Sequence, residues 1–301
     1  MSSSSRRDVS FTTHDGVLLR GWFYAAGENA PAVIITNGWS GTKEQFLDNF
    51  AKRFQSAGYG CLVYDNRNFG ESDGGPRQHI DPVLQSEDYH DAVTFLSSLD
   101  EVDSTRIAAW GSSYSGGNVI QAAAMDKRFK AVIAQVPTVV PRKLTVEALQ
   151  RLHALQEDRS QMVLNGSRLP KYIPVIADSL ENSAPGLTDA FMSTPEAYLF
   201  YTRSAKLAPR WENKVTFQSV FKHMKNEPHV FLDKISPTPF LMVVAENDNV
   251  TSTSAQIQMF EKAHGPKELH ILKGLGHFDV YEGPGFDENI KTQLEFLQKY
   301  L

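Results

Sequence analysis

Apolar and polar positions alternate at the start of the chain, over residues 9–13 and again over 17–24, with His14-Asp15-Gly16 between them. That pattern predicts a β-hairpin whose turn places Gly16 where φ is free to be positive. The pattern then changes. Ala32-Val33-Ile34-Ile35 is continuously apolar, as expected of a strand buried on both faces, and Asn37-Gly38-Trp39-Ser40-Gly41 interrupts it. Phe46, Leu47, Phe50 and Phe54 recur at helical spacing across residues 43–57, and Gly58 supplies a stop. The unit repeats with a strand over 60–64, a Gly-rich loop over 65–75 and a helix over 85–99. A strand over 107–110, a turn, a helix over 116–125 and a strand over 131–134 follow. Strands alternating with helices in this way predict an α/β fold, with a mostly parallel central sheet and helices on both faces.

The rhythm stops after Pro137. Residues 138–233 are irregular, with helices predicted over 143–156, 171–180, 195–204 and 215–224 and frequent aromatics such as Tyr198, Tyr201, Trp211 and Phe217. Strand patterns resume over 239–244 and 269–272, and a last helix is expected from Glu288 onward. The expected organisation is a core formed by 1–137 together with 234–301. Residues 138–233 would be a helical cap (lid) over the sheet's carboxyl edge, where such folds bind ligands. A packing element or a dimer contact fits the same composition, which leaves a homodimer open.

Composition narrows the choice of partners. The 301 residues are 41% hydrophobic, enough for a sizeable core, and 30 basic against 35 acidic residues give a net charge of −5. An acidic balance without a basic block makes nucleic acid an unexpected partner. Cys61 is the single cysteine, which excludes an internal disulfide and a cysteine-based zinc site. No His-Glu-x-x-His occurs, and Gly116-Gly117 lacks the spacing of a dinucleotide or phosphate loop, so neither metal nor cofactor is expected. The first residues lack the apolar run of a secretory signal, and no stretch reaches the ~18 apolar residues of a membrane span. Lys299-Tyr300-Leu301 is not a peroxisomal address. The cytosol is therefore the expected compartment, with no membrane partner.

The chemistry is concentrated at strand ends. Trp110-Gly111-Ser112-Ser113-Tyr114-Ser115-Gly116-Gly117 has the strand, tight turn and helix of a nucleophile elbow. Such a turn needs small residues two before and two after its apex, and Gly111 and Ser115 flank Ser113 in that way. Serine at the second place is a mild departure from the usual glycine. Ser115 also has small neighbours, but the strand's end at Trp110 puts Ser113 at the apex. Ser112, with bulky Trp110 two residues before it, fits the apex poorly. A serine hydroxyl needs a base that is itself oriented by an acid. Asp248 follows the strand over 240–244 and His277 the strand over 269–272, which completes the chain order Ser, Asp, His. Glu246 is the rival acid, while Asp279 follows His277 too closely to reach its ring. The developing oxyanion would take the backbone N–H groups of Tyr114 and Trp39.

These segments resemble the α/β-hydrolase family. The resemblance rests on residues 37–44, on the Tyr64-Asp65-Asn66-Arg67-Asn68-Phe69-Gly70-Glu71-Ser72 loop, on 111–117, on Asp248 and on Gly276-His277-Phe278. It implies that Arg67 ties loops together; Asn68 stands where the family often has glycine. More narrowly, Gly-x-Ser-Tyr-Ser-Gly-Gly and Gly-His-Phe-Asp-x-Tyr are similar to dienelactone-hydrolase-like proteins, including fungal polyketide transferases encoded beside polyketide synthases. The resemblance implies a cofactor-independent serine hydrolase acting on a small-molecule ester or thioester, including an intermediate bound to a polyketide synthase. Acyl transfer and hydrolytic C–C cleavage fit the same three residues. A non-hydrolytic polyketide-binding or cyclase role fits the fold but leaves the triad unused.

Overall fold

The computed structural model describes residues 6–141, 144–167 and 169–301. Strands β1 (Arg6–Thr12) and β2 (Leu18–Tyr24) form the expected antiparallel hairpin, with Gly16 at φ 87°. β3 (Ala30–Thr36), β4 (Gly60–Tyr64), β5 (Val102–Ser112), β6 (Phe129–Gln135), β9 (Phe240–Ala245) and β10 (Lys267–Leu272) complete an eight-stranded sheet. Its order is β1-β2-β4-β3-β5-β6-β9-β10; β2 pairs antiparallel with β4, and every pair from β4 to β10 is parallel.

Period-two alternation along the buried strands divides the core between two faces. Val33 and Ile35 of β3 point to one face, packed by Phe50 and Phe54 of α1 (Leu47–Ser56) and Ile290 and Phe296 of α8 (Gly283–Tyr300). Ala32 and Ile34 point to the other face. There they meet Tyr89 and Val93 of α2 (Pro82–Leu96), Val119 and Ile120 of α3 (Tyr114–Met125), and Met259 of α7 (Thr253–Phe260). The fold is the α/β-hydrolase type predicted, and all parallel strands deliver their carboxyl ends to one edge.

Among the described residues between β6 and β9, none forms a strand of this sheet. This segment forms α4 (Val146–Leu164), α5 (Pro195–Ser204), α6 (Phe217–Lys225), a 3-10 helix (Pro228–Lys234) and a separate ribbon of β7 (Tyr172–Ile173) with β8 (Val215–Thr216). The helix expected over 171–180 is replaced by β7 and irregular backbone. Asn213 explains the change: its side-chain oxygen accepts from the Val175 and Ile176 N–H groups at 3.0 and 2.9 Å, a tertiary partner that the local pattern does not reveal. The helix expected from Lys143 starts outside the described residues; α4 is capped by the Thr145 hydroxyl, which accepts from Ala148 N–H.

Two other boundaries move for identifiable reasons. The helix expected over 43–57 begins only at Leu47, because Phe46 has φ 68° and the Lys43 ammonium is held in a buried cluster by Asp65, Glu71 and Glu44 at 2.8, 2.9 and 3.0 Å. The helix expected over 85–99 starts earlier, at Pro82, with the Asp81 carboxylate accepting from Val83 N–H at 3.2 Å.

Arg67 joins three elements through charge. Its guanidinium donates to Asp88 on α2 at 2.9 and 2.6 Å and to Asp15 in the hairpin turn at 2.7 Å. Asp88 is buried, so removing Arg67 strands a carboxylate away from water. Arg67→Met should lower the unfolding free energy by ~3 kcal/mol. Lys273→Met, which breaks an exposed pair with Glu246, should cost about 1 kcal/mol or less. Urea unfolding of both variants checks the contrast.

Candidate active site

Ser113 sits between the end of β5 and the start of α3 with φ 55° and ψ −114°. A non-glycine residue there stores about 1–3 kcal/mol of strain and persists only where its surroundings hold it. The holding groups are explicit. Ser113 N–H donates to Gln135 O at 2.8 Å, and Thr138 N–H donates to Ser113 O at 2.8 Å. A Cβ at Gly111 would lie 2.1 Å from Ser115 O, so the helix passes too close for any side chain. The Ser115 hydroxyl donates to Asn37 O, which ties the elbow to the loop after β3. Ser112 is fully buried and bonded to Tyr281 Oη at 2.6 Å and to Gln135 Nε2 at 2.9 Å. Ser113 lines a cavity.

The loops after β9 and β10 bring Asp248 and His277 to the same edge. His277 Nδ1 lies 2.8 Å from Asp248 Oδ2, and His277 Nε2 lies 3.0 Å from Ser113 Oγ. Burial works to raise the Asp248 carboxyl, but the His277 charge and hydrogen bonds from His277 and Thr251 outweigh it and hold its pKa at about 2. An ionised carboxylate only accepts, so Nδ1 carries the imidazole proton and Nε2 is left to accept from the Ser113 hydroxyl. Glu246 is elsewhere, on Lys273 Nζ at 2.9 Å and Gly274 N–H at 2.8 Å. Asp279 accepts from Gly276 N–H at 2.8 Å and steadies the turn before His277.

Thr251 belongs to this constellation, although no motif of the sequence points to it directly. Its hydroxyl donates to Asp248 Oδ2 at 2.7 Å, while the N–H groups of Val250 and Thr251 each donate to Oδ1 at 2.8 Å. Asp followed by Thr three residues later in a loop is a local side-chain-to-backbone pattern, and it is the signal that was available.

The Asn37-Gly38-Trp39 loop runs against the elbow. A Cβ at Gly38 would lie 2.9 Å from Ser113 Cβ and 3.3 Å from Tyr114 N, so the backbones carrying Trp39 and Tyr114 are adjacent. Tyr201 Oη donates to Trp39 O at 2.6 Å and fixes that peptide. The Trp39 ring stacks on Phe191 with centroids 3.9 Å apart and meets Tyr114 edge-on at 4.9 Å. These rings, with His223, wall a cavity of about 750 Å³ that reaches Ser113 and is otherwise lined largely by residues between β6 and β9. Phe191 and His223 lie far from the strand ends in sequence, and no local pattern marks them.

Glu44, Asp65 and Glu71 are the one group of carboxylates close enough together to suggest a cation site among the described residues. The Lys43 ammonium already lies within 3.0 Å of all three, so the donor set is neutralised by a side chain and does not fit a metal.

Comparison with known proteins agrees with this architecture. The family model described as serine aminopeptidase, S33, an α/β-hydrolase family, matches residues 27–282. A protein named thiohydrolase from Eupenicillium brefeldianum is 37% identical over 97% of this chain and 94% of its own. Polyketide transferase grgF from Penicillium sp. is 36% identical over 100% of this chain and 98% of its own. The crystal structure of α/β hydrolase GrgF from Penicillium sp. sh18 superposes with a TM-score of 0.86 at 35% identity, covering 98% of this chain and 99% of that one. A structure described as DcsB in complex with its substrate analogue gives 0.88 at 34% identity, with 98% and 99% covered.

The depressed Asp248 pKa has a definite sign. A carboxyl lowered from 3.8 to about 2 stabilises the fold fully above its ordinary pKa, and that contribution is lost as pH falls through about 2. Thr251→Val removes one donor to the carboxylate and should move the loss to higher pH. Acid unfolding monitored by circular dichroism should show an earlier midpoint for Thr251→Val than for Thr251→Ser.

Proposed function

The chain belongs to the α/β-hydrolase family described as serine aminopeptidase, S33, and from that premise we propose that it is a serine hydrolase of acyl esters or thioesters that works through Ser113, His277 and Asp248. The observation that carries this reading is the unbroken hydrogen-bond line Ser113 Oγ to His277 Nε2, then His277 Nδ1 to Asp248 Oδ2. His277 takes the Ser113 proton as Oγ attacks the carbonyl carbon. The oxyanion accepts from the N–H groups of Trp39 and Tyr114. Collapse of the tetrahedral adduct expels the leaving group with the proton from His277 and leaves an acyl-enzyme on Ser113. Water, deprotonated by the same imidazole, then releases the acid. Those side chains and amides supply every proton and charge the sequence of steps needs, so it runs without a cofactor.

The relatives' names support a thioester substrate and a polyketide acyl group, since the similar proteins are called thiohydrolase and polyketide transferase. An intermediate held on a polyketide synthase is the partner this reading implies. Transfer is the second reading, favoured by the transferase names and by a nucleophile that is only 6% exposed beneath the 138–233 segment, which acts as a cap. An alcohol then replaces water as the acceptor. Among the described residues no helix is long and apolar enough to cross a membrane. The cytosol is the compartment we infer.

Ser113→Ala should reduce turnover of octanoyl-N-acetylcysteamine by ~10⁴-fold or more and abolish labelling by a fluorophosphonate. Labelling that persists in this variant would overturn the assignment of the nucleophile. Mass analysis of products formed with and without an added alcohol separates hydrolysis from transfer.

A further inference from the structure

One face of α4, with the residue just before its cap, presents Leu144, Ala148, Arg151 and Leu155 at i, i+4, i+7 and i+11. Leu144, Ala148 and Arg151 line the 750 Å³ cavity, and Leu155 is buried against Phe217 and Val220 of α6. Three of the four positions are apolar, as a helix facing an apolar cavity requires. Arg151 is the exception on that face.

Nothing described on the protein neutralises it. Arg151 makes no ion pair with any described carboxylate, and it is the only fully charged side chain among the cavity's described lining residues. The other polar groups on the wall are hydroxyls, the Asn249 amide and the His223 ring, so no acid competes for the guanidinium. Arg151 is exposed overall, which places it where the cavity opens to solvent rather than at its floor. A cavity whose surface is mostly apolar, with uncharged polar groups on its wall and one uncompensated cation at its mouth, is complementary to an amphiphile with an apolar body inside and an anionic group at the opening. A guanidinium offers paired N–H donors suited to two-point contact with carboxylate or phosphate oxygens.

We propose that Arg151 is a specificity residue that binds an anionic oxygen group of the substrate, a carboxylate or a phosphate, while the acyl chain occupies the cavity beside Trp39 and Phe191. The inference rests on the hydrolase reading for the identity of the substrate, and it assigns the wall of the same site to charge recognition. The anion has two possible sources with one chemistry: a carboxylate at the far end of the acyl chain, or a phosphate on the arm that carries the thiol. Arg151 touches neither reacting atom, so its effect belongs in binding and not in the chemical step.

The test measures dissociation constants on a Ser113→Ala background, where no acyl-enzyme forms. Three eight-carbon thioesters are compared. Octanoyl-N-acetylcysteamine is neutral, octanoyl-coenzyme A carries phosphates on the thiol side, and the suberic acid monothioester of N-acetylcysteamine carries a carboxylate on the acyl side. One of the two anionic ligands should bind about tenfold more tightly than the neutral one, and its identity names the source of the anion. Arg151→Gln should erase that preference and leave the neutral ligand within about twofold, while Arg151→Lys should keep part of it. Equal binding of all three ligands, or a preference that survives Arg151→Gln, overturns the inference. Fluorophosphonate labelling and thioester turnover of the unmodified enzyme report on the hydrolase reading separately, so either idea can fail alone.

Discussion

The left-handed backbone at Ser113 is the constraint around which the molecule is built. Without a strained apex the hydroxyl would lie within the plane of strand and helix, out of reach of a base arriving from other strands. The strain is offset by neighbours that leave the chain no alternative. Strand β5 and helix α3 pass so closely that Gly111 admits no side chain, and Gln135 and Thr138 clamp the Ser113 peptide on both sides. Beneath the apex, Gln135, Asn289 and Gln293 exchange side-chain amide hydrogen bonds with one another and with Ser112 and Trp110. These buried polar groups are satisfied by each other, and a network of that kind rigidifies the core it occupies. It also reaches Val280 O, three residues past His277, and so links the elbow to the loop that carries His277.

Charge is distributed with the same economy. Asp248 keeps its charge while buried because five donors surround it, from His277, Thr251 twice, Val250 and Gln256. Lys43 and Arg67 each hold carboxylates from distant segments, and both lie under the carboxyl edge of the sheet as struts rather than as reactants. Burial opposes the charge on Lys43, yet Asp65, Glu71 and Glu44 keep its ammonium above the ordinary range. The two ion clusters fix the loops after β3 and β4, and the first of these carries Trp39.

The sheet and the candidate triad's place on it were legible in the sequence because each strand of an α/β core writes a short local signature. A continuous apolar run such as 32–35 reads as a strand buried on both faces, and Gly-x-Ser between a strand and a helix reads as a candidate nucleophile turn. Asp248 follows such a run and His277 follows the more mixed strand Lys267–Leu272, so their place at the same edge is a consequence of parallel strands. The boundaries that moved did so where a distant partner overrode local preference. Lys43 leaves its helix for Asp65, and residues 175 and 176 leave theirs for Asn213.

The segment between β6 and β9 was the least legible, and for a physical reason. Its residues pack on a surface rather than alternate across a sheet, so aromatics such as Phe191 and Tyr201 carry no period that reveals their neighbours. Sequence by itself determined the fold class, the order of the candidate triad and the strand ends that hold it, because those depend on local periodicity and parallel topology. Only the tertiary structure decided that Trp39 stacks on Phe191, that Thr251 supports Asp248 and that Arg151 stands on the cavity wall with no carboxylate partner among the described residues. Those are relations between elements whose separation along the chain says nothing about their distance in space.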